Sequence, residues 1–131
     1  MKPVTEEWVE KAESDYHTAL RELRARKHAN YDAACFHAQQ CIEKYLKAIL
    51  IEREKTPPRI HDLVKLGEQC WNIVADLQNY EADFDLLSRY AVAFRYPGET
   101  ASKEEAREAV EAMKQLRIVL RNALGLEYDM R

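Results

Sequence analysis

The chain has 131 residues, 47% of them hydrophobic and 33% charged, which suits one folded domain with a real core and leaves too little chain for two. Three Gly and four Pro are too few for a turn-rich all-β fold. A net charge of −3 argues against a protein built to hold a nucleic-acid duplex, since a basic surface is then confined to a local patch.

In chain order, the first helix is predicted over about 5–26. Thr5 is placed as its N-cap, with Glu6 and Glu7 at the positive end of the helix dipole. Trp8, Ala12, Tyr16, Ala19, Leu20 and Leu23 repeat at helical spacing and form its apolar face. Asp15 borders that face, either as a solvated edge residue or as a carboxylate aimed at another helix. The basic segment 24–28 ends the helix.

Asn30 can cap the second helix, 30–54, around which the chain is organised. It holds no Gly or Pro. Ala34, Ala38, Cys41, Ile42, Tyr45, Leu46, Ala48 and Ile49 fill a very wide apolar arc, while Gln40, Glu43, Lys44 and Lys47 form one narrow polar stripe with Phe36 in the same sector. A surface helix is polar over about half its circumference. This helix is therefore expected to be nearly encircled by protein, and its stripe is either a slim strip facing water or the floor of a groove.

Pro57 and Pro58 stop that helix. A third helix is predicted from His61 or Asp62 through Leu77, weakened locally by Gly67. A fourth is predicted from about Tyr80 to Ala93. Arg95-Tyr96-Pro97-Gly98 is a stiff turn, and Ser102 with Glu105 is a capping box that opens a last helix to about Leu124, closed by Gly125. The tail from Leu126 is expected to be loose. The fold class is all-α: an up-and-down bundle of four long helices plus one shorter helix, a single domain over 1–131.

The longest apolar runs are broken by Lys or Glu, so no membrane span is expected. No basic segment followed by an apolar run is visible, and Cys35, Cys41 and Cys70 form no CxxC pair. A cytoplasmic protein with reduced, buried thiols is expected. His37 and Cys41 share a helix face as a possible half-site, but no second pair accompanies them, so neither metal nor cofactor is expected. No activated-serine elbow, P-loop or dinucleotide fingerprint occurs. What remains is charge facing charge: Gln40, Glu43, Lys44 and Lys47 on the stripe, Arg95 and Tyr96 in the turn, Arg89 before it, and His61 after the double proline. A Lys pair near an Arg offers an anion or phosphate site. The plain alternative is a surface i,i+4 pair between Glu43 and Lys47.

The run from Phe36 to Ala48, with Gln40, Glu43, Lys44, Leu46 and Lys47 at its heart, resembles the central-helix signature of the HEPN domain (higher eukaryotes and prokaryotes nucleotide-binding). Trp8 with Ala12 and Asp15 is similar to the family's first helix, His61-Asp62-Leu63 with Leu66 to the opening of its third, and Tyr90 and Arg95-Tyr96-Pro97 to its R-Y-P turn. The resemblance implies a compact α-bundle, a homodimer, and association with nucleotides or with a separately encoded minimal nucleotidyltransferase in a toxin–antitoxin type of system. Many family members are ribonuclease toxins that use an Arg, four to six residues, then a His late in the chain. Here no histidine follows Arg89 or Arg95, His61 being the last. No catalytic residue is therefore assigned, and nucleic acid is not the expected partner. The expected site is a nucleotide- or partner-binding groove of Gln40, Glu43, Lys44, Lys47, His61, Arg89, Arg95 and Tyr96. A metal-independent ribonuclease with an atypical catalytic set and a purely structural dimer stand as alternatives.

Overall fold

Pro3 is suited to the first turn of a helix, where its missing N–H costs nothing, and α1 (Pro3–Arg24) begins there. Thr5 is consequently inside the helix and does not cap it. Its hydroxyl donates to Glu52 Oε1 at 2.9 Å, an oxygen that also accepts the Lys2 backbone N–H at 3.0 Å. These bonds tie the start of α1 to the end of α2 (Tyr31–Glu52) and fix the two helices as an antiparallel pair. Asn30 caps α2 as expected, its side-chain oxygen accepting the Ala33 N–H at 2.9 Å. The wide apolar arc is buried: Ile42 and Leu46 are fully inaccessible and Ile49 nearly so.

Asp62 caps α3 (Leu63–Cys70), accepting the Val64 and Lys65 N–H groups. The helix does not continue to Leu77. Val74 leaves the helical region at φ −130° and ψ 89°, a departure that suits a β-branched residue, and a short 3-10 helix over Ala75–Tyr80 follows. It leads into α4 (Glu81–Ser88), which tightens into a 3-10 turn at Arg89–Ala91 instead of running on to Ala93. The α3 and α4 helices are antiparallel: the Leu63 N–H donates to Ser88 Oγ at 2.9 Å, and Gly67 lies against the ring of Phe84. The capping box at Ser102 and Glu105 opens α5 (Lys103–Ala123), and Gly125 follows at φ +73°.

The computed structural model describes residues 1–127; the expected loose tail lies, beyond Glu127, outside them. The described residues form an all-α bundle of five α-helices, three of 21–22 residues and two of eight. No helix among them is long and apolar enough to cross a membrane. The α5 helix runs parallel to α2, since Asp32 at the start of α2 accepts the Ala101 N–H at 2.7 Å and Arg121 near the end of α5 donates to Tyr45 Oη at 2.9 Å.

One buried polar knot pins the three long helices together. Arg117 of α5 grips Glu13 of α1 with Nε to Oε2 at 2.8 Å and Nη2 to Oε1 at 2.6 Å, and the Tyr45 hydroxyl of α2 donates to the same carboxylate. The Arg117 guanidinium also lies 4.0 Å from the centre of the Tyr16 ring. Burial by itself raises the Glu13 carboxyl, but the hydrogen bonds from Arg117 and Tyr45 and the charges of Arg117 and Arg121 outweigh it and hold the group below its ordinary range. The cysteines are free and buried, and burial pushes the Cys35 and Cys70 thiols up to about 12.

Candidate functional site

The polar stripe of α2 is neither an open strip nor a bare groove floor, because α1 and the start of α3 cover it in two places. At the first, Glu43 is only 3% exposed. Its Oε1 accepts from Gln39 Nε2 at 2.9 Å and from His61 Nδ1 at 2.8 Å, and its Oε2 accepts from Lys47 Nζ at 3.1 Å. Desolvation raises this carboxyl, but the hydrogen bonds from Gln39, His61 and Lys47 and the Lys47 charge prevail and lower it. The His61 carbonyl is held in turn by Gln39 Nε2 at 3.4 Å and Ser88 Oγ at 3.5 Å. Lys47 also lies 5.9 Å from the centre of the Trp8 ring. The Glu43–Lys47 pair is thus part of a four-membered cluster around a buried carboxylate and not an exposed i,i+4 pair. Gln40 joins its edge, donating to Gln39 Oε1 at 2.7 Å.

The second cover is Asp15 of α1, a buried carboxylate that does reach across to another helix. It accepts from Lys44 Nζ at 2.5 Å on one oxygen and from His37 Nδ1 at 2.7 Å on the other. The stripe therefore carries two carboxylate–histidine–lysine groups along one helix, with Lys44 committed to the Asp15 group and Lys47 to the Glu43 group.

Beyond His37, at the N-terminal end of the same stripe, lies a pocket of about 410 Å³. Asn30, Ala33, Phe36 and His37 of the α2 start form one wall, and Ala91, Phe94 and Arg95 the other. Phe94 holds a left-handed conformation at φ +64°, unusual for a non-glycine residue, and that bend lets the chain turn toward α2. Arg95 spends one donor on the Ala91 carbonyl at 3.2 Å. Asp32 also lines the pocket, with one oxygen occupied by the Ala101 N–H. The positive end of the α2 dipole lies at this pocket, beside a guanidinium, an imidazole and aromatic rings.

Of the expected site residues, the structure brings Gln40, Glu43, Lys47 and His61 into one cluster and sets Lys44 in the adjoining one. Arg95 lines the same pocket as Phe36 and His37; among the described residues no hydrogen bond or ion pair joins it to Glu43 or Lys44. Tyr96 is 69% exposed, and Arg89 pairs at the surface with Asp85 at 3.4 Å, so neither converges on the stripe. His37 is turned to Asp15, Cys41 is sealed in the core, and no group of three or more metal-ligating side chains occurs among the described residues.

Sequence reading missed His37 as a pocket residue and the Glu13–Arg117 knot. Signals existed for both. Phe36 was already in the stripe's sector, with His37 adjoining it. Arg117 is four residues after Met113 and three before Leu120, so it falls on the apolar face of α5, where a cation needs a buried partner.

The family model of the HEPN domain matches residues 5–123. In fold, the chain is similar to the protein TT1696 of Thermus thermophilus, known from a crystal structure, with a TM-score of 0.78, 20% identity, and coverage of 91% of this chain and 97% of that one. No curated protein matches the sequence significantly. With the family match spanning nearly the whole bundle, from within α1 to the end of α5, the chain belongs to the HEPN-domain family.

Proposed function

We propose that this HEPN module binds a nucleotide, working with a separately encoded minimal nucleotidyltransferase in a toxin–antitoxin type of pairing and acting as a homodimer. The observation that carries the ligand reading is the pocket at the start of α2, where Arg95, the α2 dipole, Phe36 and Phe94 converge in a volume suited to a small ligand. Arg95 supplies donors for a phosphate, and the aromatic rings supply faces for a base. The buried Glu43 and Asp15 clusters serve this reading as the framework that fixes the stripe beneath it. The nucleotidyltransferase partner and the homodimer rest on family resemblance alone.

The test is a thermal-shift screen against nucleoside mono-, di- and triphosphates. A specific ligand raises the melting temperature with concentration by mass action, and Arg95→Ala abolishes the rise while leaving the unliganded melting temperature within a degree or two. No nucleotide-dependent shift in the native protein would sink the reading.

A second reading, a metal-independent ribonuclease, has one observation in its favour. His37 and Arg95 line the same pocket although no histidine follows Arg95 in sequence. The expected outcome with single-stranded and structured RNA, at neutral pH with chelator, is no cleavage. Cleavage lost in both Arg95→Ala and His37→Ala would install the ribonuclease reading instead.

A further inference from the structure

The pocket offers a ligand acceptors as well as the Arg95 guanidinium, from the Asp32 carboxylate and from His37. His37 lines it, yet the ring's Nδ1 is turned away to Asp15, which is buried and held on its other oxygen by Lys44. A carboxylate oxygen only accepts, so the shared proton is on Nδ1. In the neutral ring that leaves Nε2 with a lone pair as the nitrogen available to a ligand. The edge-to-face contact of the ring with Phe36, centroids 5.3 Å apart, further restricts its orientation. With the ring neutral, His37 adds an acceptor to a pocket that Arg95 and Phe36 also line.

Inorganic phosphate at neutral pH has mostly acceptors to offer and gains little from Nε2. The sugar of a nucleotide lies between phosphate and base and carries hydroxyl donors. Resting on the reading of this pocket as a nucleotide site, we propose that His37 selects ribonucleotides by accepting a hydrogen bond from a ribose hydroxyl, with Asp15 as the positioning residue that fixes its tautomer. Lys44 supports Asp15 and does not itself meet the ligand.

The experiment is calorimetric titration of the full chain with the four nucleoside 5′-monophosphates, their 2′,3′-dideoxy counterparts and inorganic phosphate. The ribose forms are expected to bind roughly three- to tenfold more tightly than the dideoxy forms, the range of one added neutral hydrogen bond. His37→Phe keeps a ring against Phe36 but removes the acceptor, and is expected to bring that ratio close to one. Asp15→Asn, which weakens the hold on Nδ1, is expected to lower the ratio as well. Arg95→Ala is expected to weaken ribose and dideoxy forms alike and leave the ratio unchanged. Melting curves of each variant establish that it is folded, and the ratio is a readout that general loosening does not move. Equal binding of ribose and dideoxy forms by the native protein, with Arg95→Ala still weakening both, would overturn the role of His37 and leave the nucleotide site standing. Inorganic phosphate binding as tightly as the nucleotides would overturn the selection. No nucleotide binding at all would overturn both readings together.

Discussion

His61 Nδ1 meets Glu43 Oε1 at 2.8 Å, joining an imidazole that is 64% exposed to a carboxylate side chain that is only 5% exposed. Four groups from two elements depend on that carboxylate: Gln39, Lys47 and His61 donate to it, and Gln40 follows through Gln39. Glu43→Ala strands the half-buried Lys47 and leaves the buried Gln39 amide only its longer bond to the His61 carbonyl, and is expected to cost about 2–3 kcal/mol in urea unfolding. Arg95→Ala is expected to cost under about 0.5 kcal/mol, and the double variant to be additive within a similar margin. A Glu43→Ala cost as small as that of Arg95→Ala would return the residue to an ordinary surface pair.

Acid sensitivity follows from two of the lowered carboxyls, those that tie separate helices or segments together at partly buried sites. Glu13 and Glu43 both hold protons less tightly when folded than at the ordinary 4.5, so the unfolded chain binds more protons in acid. Their contribution to stability is complete above about pH 4.5 and is lost as pH falls through the lower folded values. Urea midpoints measured from pH 7 to pH 3 are expected to fall below pH 4.5 in the native protein and to fall less steeply in Glu13→Gln and Glu43→Gln. Parallel profiles in all three would show that neither carboxyl is linked to folding.

Leu46 is fully buried at the centre of α2. Leu46→Ala is expected to destabilise by roughly 2–5 kcal/mol, combining lost transfer energy with the cavity left behind. A change below about 1 kcal/mol, by chemical denaturation, would contradict the burial of the arc.

Gly67 carries a prediction of opposite sign to helix propensity. In an open helix, Gly→Ala gains about 1 kcal/mol. Here a Cβ at position 67 would lie 3.0 Å from Phe84 Cε2, and that ring is itself buried. Gly67→Ala is expected to destabilise by about 1 kcal/mol net, and Phe84→Leu in the same background to recover part of the loss. A stabilised Gly67→Ala protein would mean the ring yields freely.

The dominance of α2 was legible because side-chain periodicity reports burial directly. Ile42, Leu46 and Ile49 lie where the apolar arc placed them, and Asn30, Ser102 and Gly125 cap as their chemistry dictates. The α3 boundary was not legible. The apolar spacing runs on through Val74 and Leu77, but the helix ends at Cys70 in a turn and Val74 lies outside the helical region, a break that no Gly or Pro between Cys70 and Leu77 announces. Glu43 was hidden for another reason: periodicity assigns it to the polar stripe, and only its partners Gln39, Lys47 and His61 offset the cost of burying it. For Arg117 the apolar face of α5 signals burial but does not name Glu13 as the partner. The convergence of Arg95 with His37 is likewise a long-range fact, set by the bend at Phe94 and by no local pattern.

That bend gives the pocket two walls of unequal stiffness. The α2 wall begins a 22-residue helix locked by a side-chain cap and the Asp15 bonds. The facing wall is a few residues of tight turn and loop, bent at Phe94 and held by the Arg95–Ala91 bond and by the stacking of Phe94 on Tyr90, centroids 5.7 Å apart. Local opening of that second wall needs few contacts to break, whereas moving the first means unseating the core. The facing strip can therefore adjust to ligands of different girth while the helix keeps its register, so amide exchange should be fast on one side of the cavity and slow on the other.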